Sequence, residues 1–115
     1  MIKKENRLKK RKQFAYLFKN GNHLGDEFVS LVYIVLKTKN FKVGYSVSKK
    51  VGKAVIRNKV KRRLKECVLS FSNEIKNEFY IIVVAKPKII ELKFDDLKEK
   101  LKFQFKRAGL LREDY

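Results

Sequence analysis

Apolar residues recur along this chain with two different periods, and the switches between them predict its elements. Over residues 11–20, Phe14 and Phe18 stand four apart with Leu17 beside them, one face of a short helix that Gly21 closes. Residues 20–27 are polar and read as a turn. From Phe28 to Lys37 the period drops to two: Phe28, Ser30, Val32 and Ile34 share one face, and Val29, Leu31, Tyr33 and Val35 the other. A turn at residues 38–40 leads to a second strand, Phe41 to Ser48, whose Val43, Tyr45 and Val47 oppose Lys42, Gly44, Ser46 and Ser48. Small residues on that second side leave space above it.

The helical period returns after a turn at residues 49–53. Ile56, Val60, Leu64, Cys67 or Val68, and Phe71 recur at steps of three and four, a buried seam along one helix. Phe79 to Ala85 is a continuous apolar run of strand length, ended by Lys86-Pro87. After a linker at residues 88–93, Asp95 and Asp96 open a last helix, where the dipole favours acids. Its seam is Leu97, Leu101, Phe105 and Ala108, with Phe103 off it, and it stops near Gly109. The order reads α-β-β-α-β-α, with room for an extra strand between residues 28 and 45. The class is α+β: a small sheet with helices packed on it. At 115 residues the chain makes one domain, 1–115, in which residues 1–10 are expected to be a flexible basic arm.

Charge changes this picture from a generic fold to a surface with a purpose. The formal net charge is +18, and no acid occurs from Phe28 to Lys65. Ser48 to Glu66 alone carries nine cations (Lys49, Lys50, Lys53, Arg57, Lys59, Lys61, Arg62, Arg63, Lys65) against the single acid Glu66. On a helix with an apolar seam, Asn58, Lys59, Lys61, Arg62, Arg63 and Lys65 fall on the opposite arc, with Arg57 at its border. Basic helical faces are often only solvated surface, but here the cluster 57–63 contains no acid of its own to form helix-surface pairs with. A polyanionic partner accounts for keeping such a field. A membrane does not: the longest apolar runs, Leu31 to Leu36 and Phe79 to Ala85, are strand-sized. Cys67 is the only cysteine, which excludes an internal disulfide and points to the cytoplasm.

The stretch from Val43 to Glu66, VGYSVSKKVGKAVIRNKVKRRLKE, resembles the signature of the bacterial ribonuclease P protein component, VGxSVSKKxGxAVxRN running into RNxxKRxxRE. Lys59 and Lys65 stand where arginine is common, which keeps charge but loses bidentate geometry. The resemblance extends to Arg7-Leu8-Lys9-Lys10, Phe14, Phe18, Gly21 and the strand at 79–85 with its Lys-Pro end. It implies a ribonuclease P protein-like order, α-β-β-β-α-β-α, a mostly antiparallel sheet and a left-handed βαβ crossover, against the usual right-handed preference. It also implies the protein subunit of a ribonucleoprotein whose RNA subunit performs the chemistry, Mg2+-dependent endonucleolytic removal of the 5′ leader from precursor tRNA. The Mg2+ would be held mainly by the RNA subunit. Lys49, Lys50, Lys53, Arg57, Asn58, Lys59, Lys61, Arg62 and Lys65 would meet the ribonuclease P RNA. Phe14, Phe18, Val29 and Leu31 match the family's leader-binding cleft; Leu31 replaces a common aromatic, for which Tyr33 on the same strand face is the expected substitute.

These residue types suit that task. Aromatic faces stack bases with little regard to sequence, contributing about 1–3 kcal/mol per base, and rigid cations suit folded RNA. No catalytic or metal-ligating set is expected in the polypeptide: His23 is alone, and Asp26, Glu27, Asp95 and Asp96 have turn and capping positions. Neither a membrane nor an obligate protein partner is expected. The alternative from charge and composition is a non-catalytic, ribosomal-type or chaperone-like RNA-binding protein; a protein-only nuclease would need a carboxylate cluster.

Overall fold

The computed structural model describes residues 3–112. Four strands, β1 (Asn22–Gly25), β2 (Val29–Val35), β3 (Lys42–Val47) and β4 (Phe79–Ala85), form one sheet in the order β1-β2-β4-β3. Three helices, α1 (Arg11–Asn20), α2 (Ala54–Ser70) and α3 (Phe94–Arg107), cover it. β2 runs antiparallel to β1 and to β4, whereas β3 is parallel to β4, so α2 is the crossover between two parallel neighbours.

Helices lie on both faces of the sheet, which is why β2 and β4 are apolar on both sides. On one face Val29, Leu31, Val43, Ile81 and Val83 pack with Val60, Leu64, Cys67 and Val68 of α2 and Leu97, Leu101 and Phe105 of α3. Phe71 and Phe105 meet edge to face there, 5.0 Å between centroids. On the other face Leu8, Leu17, Val32 and Ile82 form a smaller core, against which Phe14, Ile34, Tyr80 and Val84 pack. α3 stops as expected at Gly109, whose φ of 77° only glycine adopts freely. Its N–H returns to Lys106 O, and that of Leu110 to Phe105 O, capping the last carbonyls.

Three expectations change. Residues 22–25 are not a turn but the edge strand β1, paired from Asn22 opposite Tyr33 to Gly25 opposite Ser30. An edge strand needs backbone partners on one side only, so this polar segment carries no period that announces it. Residues 88–93 are not a plain linker: Pro87–Glu91 makes a 3-10 turn that buries Ile89. Residues 3–10 are not a loose arm. Lys4–Asn6 forms a 3-10 turn, Asn6 Nδ2 donates to Phe41 O at 2.8 Å, and Leu8 N donates to Val43 O at 3.0 Å. The segment is thereby strapped along the outer edge of β3, with Asn6 and Leu8 buried.

Candidate nucleic-acid interface

The cationic helix is present with the orientation its period implies. Val60, Leu64, Cys67 and Val68 are buried, while Lys49, Lys50, Lys53, Asn58, Lys59, Arg62 and Lys65 are exposed and Arg57 and Lys61 half-buried. Ile56 departs from the seam: it is 40% exposed, at the rim of a groove it lines with Ile89, Ile90 and Leu97. Neither ion pair among the described residues, Lys88–Glu27 or Lys102–Glu74, involves this face. The first turn of α2 also lacks an acid, so the positive end of the helix dipole adds to the side-chain field instead of being offset. Arg57 Nε donates to Gly52 O at 3.2 Å, which fixes its guanidinium over the preceding turn.

A cleft of about 550 Å³ opens where α1, the outer edge of β3 and α2 converge. Its floor is Leu8, Phe14, Val43 and Tyr45; α2 supplies Lys61, Arg62, Lys65, Glu66 and Leu69; Arg7 and Lys9 close the side made by the N-terminal strap. The α2 members 62, 65 or 66, and 69 follow the helical step and share one face. Gly44 lets this cleft exist in its present form, since a Cβ there would lie 2.5 Å from Phe14 Cζ. Burial, reinforced by the neighbouring Cys67 thiol, pushes the Tyr45 phenol far above its ordinary pKa, so it stays an O–H donor. Burial likewise raises the Cys67 thiol to about 11, leaving it a packing group.

The residues matched to the leader cleft do not come together as the resemblance implies. Phe14 lines the cleft, but Val29 and Leu31 are fully buried beneath α2 and α3, on the sheet face away from α1 and inward from the β3 edge where the cleft opens. Tyr33 shares that face and packs edge-on against Phe79, 6.3 Å between centroids. The β2 side chains that pack toward α1 are Val32 and Ile34. Because VSLVYIV is apolar on both sides, its pattern sorts residues into two faces without saying which face α1 covers. Phe18 is 42% exposed and lies outside the cleft lining, one helical turn beyond Phe14. The strap residues Arg7, Leu8 and Lys9 escape a reading by periodicity because an extended, non-periodic segment gives no positional signal. Glu66 and Leu69 could have been found from their spacing to Arg62.

The isolated acids have structural positions. Asp26 Oδ1 accepts the N–H groups of Phe28 and Val29, and Oδ2 accepts Gln104 Nε2 at 2.9 Å. Partial burial works against its charge, but those hydrogen bonds and the nearby Lys100 outweigh it and hold the carboxyl below its usual value. His23 is exposed on β1. Among the described residues no group of three or more His, Cys, Asp or Glu is placed to hold a metal ion. No helix among them is long and apolar enough to cross a membrane.

Fold and surface together define a class: a small α+β scaffold whose crossover helix presents a cationic face beside an apolar-floored cleft. A family model described as Ribonuclease P matches residues 2–109. The ribonuclease P protein component of Bacillus mycoides (strain KBAB4) is 34% identical over 112 residues, covering 96% of this chain and 97% of that protein. Among solved structures, the RNase P protein of Staphylococcus aureus superposes with a TM-score of 0.86 at 29% identity, over 93% of this chain and 98% of that one. That of Thermotoga maritima gives 0.81 at 31% identity, over 88% and 96%. The chain belongs to the ribonuclease P protein family.

Proposed function

We propose that this chain is the protein subunit of ribonuclease P, acting in the cytoplasm on the 5′ leader of precursor tRNA. The observation that carries the reading is the adjacency of two different surfaces on α2. Among the described residues its outward cations have no ion-pair partner, and they suit the phosphates of a folded RNA subunit. Its cleft-facing flank looks across Phe14 and Tyr45, aromatic groups suited to unpaired bases. A cleft of about 550 Å³ takes a base or two rather than a duplex.

In this reading the polypeptide binds and orients. Lys61, Arg62 and Lys65 track the leader backbone while Phe14 and Tyr45 meet bases, and Lys49, Lys50, Lys53, Arg57, Asn58 and Lys59 dock the RNA subunit. Mg2+, held mainly by the RNA subunit, supplies the hydrolytic chemistry; the chain's part is to reduce RNA–RNA repulsion and so the magnesium needed. No further protein partner is required.

The test is reconstitution. Adding the purified chain to a bacterial ribonuclease P RNA at low magnesium is expected to restore 5′-leader cleavage of precursor tRNA, with the chain alone inactive. Cleavage by the polypeptide without RNA, or no stimulation at any magnesium concentration, would overturn the reading.

A further inference from the structure

Among the described residues lining the cleft Glu66 is the one acid, set on α2 beside Lys61, Arg62 and Lys65. It is exposed and takes part in neither ion pair among the described residues, although Arg62 precedes it by one helical turn. A phosphate placed against this carboxylate would be repelled, whereas the cations around it attract one. The backbone of a bound strand is therefore steered along the cations, and what meets Glu66 is a base. Bases differ in what they offer an acceptor-only group. Adenine and cytosine present an exocyclic amino group, and guanine an N–H beside one; uracil flanks its single N–H with two carbonyl oxygens.

We propose that Glu66 is a specificity-determining residue: it accepts a hydrogen bond from the amino group of adenine, cytosine or guanine in the cleft and disfavours uracil. The step is one of recognition only, and it rests on the reading of the cleft as the leader site. Phe14 and Tyr45 supply stacking that any base can use, so discrimination falls to the carboxylate.

Fluorescein-labelled single-stranded RNA pentamers, A5, C5 and U5, report it by anisotropy against the full chain. The pair C5 and U5 decides, because the rings match in size and differ where cytosine has an amino group and uracil an oxygen. The wild type is expected to bind C5 about fivefold or more tighter than U5. Glu66→Ala should close that gap, and Glu66→Gln should close it chiefly by improving U5, since its amide can donate to uracil O4. Equal binding of C5 and U5 by the wild type, or an intact gap in Glu66→Ala, would sink the proposal. So would a gap that vanishes when Mg2+ is replaced by EDTA, which would assign Glu66 to a bridging cation. If no pentamer binds while a hairpin RNA does, the leader-cleft reading itself fails, and Glu66 with it.

Discussion

Glycine at position 44 shows how one missing methyl group shapes a surface. Sequence periodicity places Gly44 on the small-residue side of β3, and that side is not left open: the Phe14 ring and Leu8 occupy it. With a Cβ 2.5 Å from Phe14 Cζ and 3.1 Å from the Leu8 carbonyl oxygen, Gly44→Ala must displace the ring or the strap. Overpacking of this kind costs about 1–3 kcal/mol. The expected outcome is a lower melting temperature together with weaker binding of leader-bearing precursor tRNA. Pairing it with Phe14→Leu should restore part of the stability but not the binding. Unchanged melting in Gly44→Ala would show that Phe14 is free to move aside.

At the scale of the element, α2 is a compromise between burial and charge. Its seam is held by Val60, Leu64, Cys67 and Val68, while its first turn has neither a side-chain cap nor an acid to answer the dipole. Such a helix keeps cations where a stability-driven sequence would place acids. Arg57, tied to Gly52 O, and Arg62, on the cleft wall, test the two surfaces separately. Arg57→Ala is expected to weaken assembly with the RNA subunit and to shallow its salt dependence by about one unit of log–log slope for each phosphate left without its cation. Arg62→Ala should do so for precursor binding more than for mature tRNA. Identical slopes for the wild type and both variants, measured by filter binding across a salt series, would remove these arginines from the interface.

Across the whole molecule, the loop between β1 and β2 ties the layers together. Asp26 orders its own turn and accepts from Gln104 of α3; the Lys86 ammonium, just after β4, donates to the Asp26 carbonyl. Arg107 adds a bond to Gly25 O at 3.3 Å. Because the folded carboxyl titrates below its ordinary value of 3.8, its contribution is present above the unfolded pKa and is lost as pH falls through the folded one. Comparing thermal unfolding of the wild type and Asp26→Asn from about pH 6 down to about pH 2 should show the variant less stable at the upper end and the two converging in acid. A constant difference over that range would mean the charge itself contributes nothing.

Much of this molecule is legible in its residues alone. The helices at 11–20 and 94–107, the strand at 79–85 and the cationic arc of α2 follow from local periodicity, and local periodicity survives folding because each element buries its apolar side. The motif around Arg57 and Asn58 likewise carries the family. Tertiary structure alone decided which face of β2 lies under α1, and that the cleft opens at the β3 edge, where Phe14 is joined by Tyr45 and Leu69 instead of by Val29 and Leu31 from the middle of the sheet. It also decided that residues 3–10 brace β3 and that residues 22–25 extend the sheet. The physical reason is the same in each case: a strand apolar on both sides looks identical either way up, and backbone pairing along an edge places no demand on side-chain pattern.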